Sequence, residues 1–379
     1  MKHLNRQRLA ENIEEIARYD FNNQKVFGSS YAVVQEDKVI YKKHFGHTSV
    51  QGDAEVSDDT LYRLASMTKP ITAFATLILV EREKLSLSDN VSKYLPEFEN
   101  IHIIQEDANG AMDLGKPVHQ PTIRDLLTHT SGIGTDARKL EKMTTDDKST
   151  VEKTIAYFAN AGLDFEPASK QAYSAFGAFD VLVKIIQKIT GTDYESFLQK
   201  EIFQPCGMKN TVFVPSQKQW DHFIQMHNKV NGTSVNATMK KDCVFETFPC
   251  THYLGGAGLA STLKDYIEFA KLLLKEGATS QKALISKETF QVFRTPLLEE
   301  KIMPGSQKWG LGVRVIVHEH YRDLPVGSFG WSGAYGSHFW IDPKNKVAAV
   351  FMKNSLYDGG AGNESARNFE KAVNSSFET

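Results

Sequence analysis

The chain concentrates its strand-like segments at its two ends. Near the start, "SSYAVVQEDKVIYKKHFG" alternates apolar and polar residues on either side of Glu36-Asp37, which predicts a β-hairpin. Near the end, three further runs have strand character: "WGLGVRVIVHEH", "GSHFWIDP" and "KVAAVFMKN". Strands gain stability only side by side, so we expect the two ends to meet in one antiparallel sheet of about five or more strands.

The sequence between these ends has mainly helical periodicity. One helix is expected over about residues 66–84, and others along "TVEKTIAYFANAG" and "SAFGAFDVLVKIIQKITG". We therefore predict an α+β fold. Residues 1–85 and 255–379 would form a lobe with the sheet flanked by helices, residues 86–254 would form a mostly helical lobe, and the two would make one catalytic unit. A cleft is expected where the lobes meet.

Composition narrows the classes of function. The 379 residues are 41% hydrophobic and 24% charged, as in a soluble protein with a large core, and a net charge of -2 gives no reason to expect nucleic acid or a membrane surface as partner. Three irregularly spaced cysteines predict neither disulfides nor a zinc site.

The charged N-terminal segment lacks the apolar core of a signal peptide, which favours a cytoplasmic location. We expect no cofactor and no metal, since "HEH" at 318–320 has no evident third ligand. The oligomeric state is not indicated.

One short segment, "SMTKP" at residues 66–70, combines a serine with a lysine three positions later. Proline is tolerated only in the first turn of a helix, so Pro70 predicts a helix that begins close to Ser66. Lys69 would lie one turn on, on the same face, and the helix N-terminus would favour a developing anion. A serine nucleophile needs an adjacent base, and lysine can serve if burial or charge lowers its pKa. On its own, the pattern is more often a serine N-cap followed by an exposed lysine.

Other serine and phosphate-loop patterns fit less well. Ser261 begins a second S-x-x-K, but Thr262 and Asp265 there form a capping box that accounts for the sequence without catalysis. "GWSGA" at 330–334 lacks the last glycine of a nucleophile elbow and lies among antiparallel strands, which makes Ser332 a poor nucleophile. "GAMDLGKP" has proline where a P-loop needs serine or threonine.

Three separated motifs follow one another in order: "SMTK" opens a helix, "YSA" begins at Tyr173, and "WSG" begins at Trp331 before a late strand. In this combination the chain resembles the serine β-lactamase and penicillin-binding-protein superfamily. It resembles more closely the class C β-lactamase-like carboxylesterases, whose typical phrases recur as "LLTHTSGI", "GGAGLAST" and "GWSGAYGSHFWIDP". The resemblance runs from about residue 28 to 352 and implies a β-lactamase/transpeptidase-like fold.

The resemblance also implies roles for site residues. Ser66 would be the nucleophile and Lys69 its close partner, with Tyr173 as the second member of the proton-transfer pair; the sequence does not decide which of the two takes the serine proton. Free tyrosine has a pKa of about 10, so a phenolate would need a nearby ammonium to stabilise it. The backbone N–H groups of Ser66 and Ala334 would form the oxyanion hole. The residues that would contact substrate are Ala175, Trp331, Ser332 and Gly333.

Two positions depart from the superfamily pattern. Ala175 stands where asparagine is frequent, and Trp331 stands where β-lactamases and peptidases usually carry a lysine or histidine that helps to hold a substrate carboxylate. An indole offers stacking area and one N–H donor but no ion pair. A compensating cation would have to come from elsewhere, for example from Lys240, Lys241 or Arg314.

We therefore expect a serine hydrolase that acts on small neutral esters through an acyl-enzyme, its partner being a small-molecule ester or amide substrate. One alternative is a β-lactamase or a D-amino-acid peptidase of the same fold. Another, from a different class, is a non-catalytic binding protein that retains the fold.

Overall fold

The structure is a computed structural model that describes residues 1–52, 54–107, 110–237, 248, 250–319 and 324–378. Within these ranges the strands, in chain order, are β1 (Gly28–Gln35), β2 (Lys38–Gly46), β3 (Leu61–Arg63), β4 (Ile104–Asp107), β5 (Gly110–Asp113), β6 (His227–Val230), β7 (Thr233–Asn236), β8 (Ala260–Thr262), β9 (Gln307–Trp309), β10 (Arg314–Ile316), β11 (Phe329–Ser332), β12 (His338–Asp342) and β13 (Val347–Met352).

The α-helices in the same ranges are α1 (Arg6–Asn22), α2 (Thr68–Glu81), α3 (Ile123–Thr128), α4 (Ala137–Lys142), α5 (Val151–Ala161), α6 (Gly177–Thr190), α7 (Tyr194–Leu198), α8 (Gln204–Cys206), α9 (Gln217–Trp220), α10 (Leu263–Leu274), α11 (Lys287–Arg294) and α12 (Glu364–Asn374). None of these helices is both long enough and apolar enough to cross a membrane.

A seven-stranded antiparallel sheet joins the two ends of the chain, which confirms the predicted α+β class. Its strand order is β2-β1-β13-β12-β11-β10-β9. The first hairpin turns at the predicted position, where Glu36 adopts a left-handed φ of +61°. β1 then pairs with the last strand, Ser30 lying opposite Met352, so the N- and C-terminal segments are neighbours within one sheet.

The two faces of the sheet contribute to two different cores. Along β1, Tyr31 and Val33 pack with α1 and α12, whereas Ala32 and Val34 belong to the larger core that contains α2 and α10. This is the alternation that a strand buried on both faces requires. α2 is buried on almost every side, and its central place fixes the position of the residues at its N-terminal end.

The run "WGLGVRVIVHEH" is not a single strand, as the sequence predicted, but a hairpin. β9 ends at Trp309 and β10 begins at Arg314, and the Gly310 N–H donates to the Val313 carbonyl across the turn. Gly312 has a φ of +69°, and a Cβ there would lie 2.7 Å from the Cβ of Ala73. The prediction was wrong because this turn packs against α2, which strand periodicity does not reveal.

The middle of the chain is also less uniformly helical than predicted. β4 pairs with β5 and β6 pairs with β7 in separate two-stranded sheets, and α2 ends at Glu81 rather than near Lys84. The division into lobes at residues 85 and 255 stays a prediction.

Candidate active site

Ser66 lies in a short 3-10 turn, Ala65–Met67, that leads directly into α2. Ala65 has a φ of +45°, a left-handed conformation that costs a residue with a Cβ about 1–2 kcal/mol. The Tyr266 hydroxyl holds the turn by donating to the Met67 carbonyl at 2.9 Å. Ser66 is partly exposed within an otherwise buried run, so solvent reaches it and not its neighbours.

Lys69 is completely buried beneath Ser66. Its Nζ donates to the carbonyls of Ala175 at 2.6 Å and Gly256 at 3.0 Å, and it lies 3.5 Å from Ser66 Oγ. Within the described part of the chain no carboxylate pairs with it. A serine N-cap followed by an exposed lysine is therefore wrong for this copy of the motif, because Lys69 is buried beside Ser66 Oγ.

Tyr173 approaches Ser66 from the segment that precedes α6. Its hydroxyl donates to Ser66 Oγ at 2.9 Å and accepts the indole Nε1–H of Trp331 at 3.2 Å. The Lys69 Nζ lies 4.9 Å from the centre of the tyrosine ring. The phenol oxygen therefore contacts the serine on one side and an N–H donor on the other.

Three aromatic rings pack around Tyr173, which stays 36% exposed. The Trp309 ring lies 4.6 Å from that of Trp331 and 6.0 Å from that of Tyr173, and the His129 ring lies 4.6 Å from that of Tyr173. The sequence assigned neither Trp309 nor His129 to the site. His129 had a signal, since it belongs to the phrase "LLTHTSGI". Trp309 had no sequence signal, because its position at the site depends on the β9–β10 turn, which the sequence did not predict.

The segment after β11 packs directly against the nucleophile turn. A Cβ at Gly333 would lie 2.4 Å from the Leu64 carbonyl oxygen, so only glycine permits this approach. The next residue, Ala334, is exposed, and its carbonyl accepts the Gly360 N–H at 2.8 Å. Its own N–H has no acceptor in the described ranges. The role of Ala334 in an oxyanion hole stays a prediction, and its place beside the turn supports it.

Ser332 does not present its side chain to the cleft. Its residue is 2% exposed, and its Oγ is 2.8 Å from His338 Nδ1 on the neighbouring strand. The His338 Nε2 lies 2.9 Å from Glu370 of α12. Because successive strand residues face opposite sides, Trp331 faces Tyr173 and Ser332 faces the interior. Its side chain therefore does not face the cleft, and a contact of Ser332 with substrate stays a prediction.

Ala175 and Arg314, one of the three candidate compensating cations, have defined positions. The Ala175 carbonyl accepts a hydrogen bond from Lys69 Nζ at 2.6 Å, and a contact of Ala175 with substrate stays a prediction. Arg314 is 3% exposed and lies 3.6 Å from Glu370, on the side of the sheet away from Ser66, so it supplies no cation to the cleft. Lys240 and Lys241 lie outside the described residues.

The other patterns singled out from the sequence have structural explanations. Ser261 is completely buried, 2.8 Å from the Thr211 hydroxyl, and Thr262 caps α10 as predicted. In the described residues no three His, Cys, Asp or Glu side chains lie together as metal ligands. His320 of the "HEH" segment lies outside those residues.

A buried ion pair holds the loop that follows β13 against the segment carrying Ala334. Lys353 is completely buried and donates to Asp358 Oδ2 at 2.6 Å. In the same loop, the Gly360 N–H binds Ala334 and the Asn363 side chain binds the Gly336 carbonyl. Burial acts to raise the pKa of Asp358, but the charge of Lys353 outweighs it and lowers that pKa to about 2.

Asp358→Asn is expected to lower the free energy of unfolding by about 3 kcal/mol at pH 7, because it leaves a buried charge without its partner. A carboxylate with a depressed folded-state pKa contributes stability above its unfolded pKa and loses it as pH falls. The wild type should therefore lose this contribution between about pH 4 and pH 2, and the variant should not. Urea titrations at pH 7 and at acid pH measure both effects.

Asp58→Asn is the matched control for this prediction. Asp58 also pairs with a lysine, Lys42, but both side chains are more than a third exposed, and exposed pairs contribute about 1 kcal/mol or less. Equal destabilisation by the two substitutions would contradict the role given to Lys353 and Asp358.

The fold and the site together define a class of protein. A serine and a lysine at the N-terminal end of a buried helix, facing a tyrosine beside an antiparallel sheet, are the arrangement of β-lactamase-fold serine hydrolases. The chain belongs to the β-lactamase family, whose model, described as Beta-lactamase, matches residues 7–372.

Individual relatives extend this finding. Esterase EstB of Burkholderia gladioli is 25% identical over 398 residues, which cover 93% of this chain and 92% of that protein. An N-acetylmuramyl-L-alanine amidase of Bacillus subtilis (strain 168) is 24% identical over 366 residues, 87% and 77% of the two chains. The solved structure of EstCE1, described as a hydrolase with promiscuous acyltransferase activity, matches with a TM-score of 0.82 at 22% identity over 97% and 99% of the two chains. The last of these likenesses shows the fold alone.

Proposed function

We propose that the chain is a serine hydrolase that cleaves small neutral carboxylic esters through an acyl-enzyme on Ser66. The observation that carries this proposal is the 2.9 Å contact between Ser66 Oγ and Tyr173 Oη, above a buried lysine without a carboxylate partner in the described residues. A serine that only caps a helix needs neither neighbour. A cytoplasmic location stays a prediction from the sequence.

In the proposed reaction Tyr173 is the base, because it is the closer of the two candidates to Ser66 Oγ, at 2.9 Å against 3.5 Å for Lys69. As a phenolate, held by the ammonium of Lys69 and the N–H of Trp331, it takes the serine proton while Oγ attacks the ester carbonyl carbon. It then gives that proton to the departing alkoxide, which leaves as the alcohol. Water then gives a proton to the same tyrosine and attacks the acyl carbon; the bond to Oγ breaks, Oγ takes that proton from Tyr173, and the carboxylic acid leaves.

The developing oxyanion would be bound by the backbone N–H groups of Ser66 and Ala334. Two preorganised donors at such a position are worth several kcal/mol to the transition state. The contact between Gly333 and the Leu64 carbonyl keeps the two backbones adjacent, which supports this assignment.

The preference for neutral esters rests on what surrounds Tyr173. A carboxylate that enters a partly dry cleft loses hydration, and only a cation or a matched donor restores that loss. Trp331 donates its single N–H to Tyr173, and Arg314 is turned away toward Glu370. A neutral ester incurs no such loss and can pack against the indole rings. Similarity to a relative named as an esterase supports the same preference for esters.

We expect kcat/KM for a short-chain p-nitrophenyl ester to exceed that for a chromogenic cephalosporin by about 10- to 10²-fold, since a lost charge-assisted hydrogen bond costs about 1.5–3 kcal/mol. Both substrates are measured on one preparation. Trp331→Lys should raise the cephalosporin value relative to the ester value, and Trp331→Phe, which adds no charge, should not.

Comparable efficiency on both substrates in the wild type would overturn the ester assignment. A relative named as an amidase makes amide hydrolysis the second candidate, so a D-alanyl-D-alanine peptide and an anilide belong in the same panel. No turnover of any substrate, together with no reaction of Ser66 with a serine-directed probe, would favour a binding protein that retains the fold.

A further inference from the structure

His129 occupies a backbone position that ordinarily favours glycine. It follows α3 with a φ of +59° and ψ of 38°, the left-handed conformation in which helices usually end on glycine and sometimes on asparagine. A residue with a Cβ adopts this conformation at a cost. It is also completely buried. The side chain at this position is therefore expected to do something that glycine could not.

His129 binds the backbone on both sides of Tyr173. Its carbonyl accepts the Ala172 N–H at 3.0 Å, and its Nδ1 accepts the Ser174 N–H at 3.1 Å. Its ring packs against the tyrosine ring, with the ring centres 4.6 Å apart. His129 thus contacts both the main chain of the segment that carries Tyr173 and the tyrosine side chain itself.

The imidazole is held neutral. Because Nδ1 accepts a backbone N–H, the ring proton lies on Nε2. Burial, together with the nearby charge of Lys69, keeps the pKa of His129 well below its usual value. Among the residues that the structure describes, the titratable groups placed beside this ring are Lys69 and Tyr173. His129 therefore adds no second positive charge next to Lys69 in the neutral pH range.

We propose that His129 is a positioning residue that places the Tyr173 hydroxyl on Ser66 Oγ by holding the two peptide N–H groups at residues 172 and 174. This inference rests on the proposed function, since the contact it maintains is the one assigned to proton transfer. It acts through Tyr173 and touches neither Ser66 nor substrate. A displacement of about 1 Å at a reacting group lowers rates by about 10²-fold.

Two substitutions separate this role from backbone strain. His129→Gly keeps the left-handed conformation and removes the side-chain acceptor, and should slow fluorophosphonate labelling of Ser66 by about 10²-fold. His129→Asn also tolerates that conformation and offers Oδ1 near the position of Nδ1, so it should recover most of the rate. For ester substrates the loss in His129→Gly should appear in kcat, with KM nearly unchanged.

A double-mutant cycle with Tyr173→Phe distinguishes positioning from general loosening. If His129 acts through Tyr173, His129→Gly should cause little further loss in the Tyr173→Phe background. Phe369→Leu, in the core between the sheet and the terminal helices, is a control for reduced stability and should leave the labelling rate of folded protein unchanged. An equal loss in both backgrounds, or no recovery by asparagine, would overturn the inference.

Crystal structures of the two His129 variants provide a readout that does not depend on activity. The Tyr173 hydroxyl should leave Ser66 in His129→Gly and stay within hydrogen-bond distance in His129→Asn. A tyrosine that keeps its place in the glycine variant would refute the positioning role even if the wild type is active. A wild type that neither reacts with the probe nor turns over substrate would instead refute the proposed function, and the two structures would still decide the role of His129.

Discussion

A fluorophosphonate probe is expected to label Ser66 in the wild-type chain and to leave Ser66→Ala unlabelled. Ester turnover should fall by a factor on the order of 10⁶, to near background, as it does when a serine nucleophile is removed from other hydrolases. The reason is chemical, since alanine has no atom that can form the acyl-enzyme. Intact-protein mass spectrometry measures the adduct, and peptide mapping locates it.

Ser261→Ala is the matched control for this experiment. Ser261 begins the second S-x-x-K, but it is buried and bonded to Thr211, so the variant should be labelled at the wild-type rate. An adduct on Ser261 or Ser332 in the wild type would show that the assignment of Ser66 as the nucleophile is wrong. The structure argues against both, because neither hydroxyl is accessible.

The sheet was predictable because its signal is local. Strand alternation at both ends of the chain was enough to predict one antiparallel sheet. The β9–β10 hairpin was not predictable in the same way, because the left-handed turn at Gly312 depends on contact with Ala73 of α2, far away in sequence.

The site was predictable only as three motifs in order. The side chains of Ser66 and Tyr173 do meet. Lys69, however, is held by the carbonyls of Ala175 and Gly256, which lie 106 and 187 positions further along the sequence. A backbone carbonyl has no sequence signature, so the burial of Lys69 could not be read from the chain. Ser332 is different, since strand alternation, which the predicted substrate contact did not take into account, places its side chain on the face opposite Trp331.

Tyr173→Phe and Lys69→Met are both expected to slow acylation of Ser66 by about 10²–10⁴-fold, the range for loss of a proton-transfer group. They should differ in stability. Tyr173 is 36% exposed, and phenylalanine keeps its ring contacts, so the free energy of unfolding should change little. Lys69 is completely buried, and methionine would leave the carbonyls of Ala175 and Gly256 without a donor, at a cost of about 1–3 kcal/mol each.

The acylation rate, measured by stopped-flow with a chromogenic ester, and the urea unfolding midpoint therefore form a pair of readouts for each variant. Lys264→Met is the control, because Lys264 ends the second S-x-x-K and is exposed; neither readout should change. Near-wild-type acylation in Tyr173→Phe would make Lys69 the base, since it is the remaining group beside Ser66 Oγ. Near-wild-type acylation in Lys69→Met would show that Tyr173 acts without the buried lysine. The proposed phenolate would then lack its main source of stabilisation, because the remaining donor, the Trp331 N–H, carries no charge.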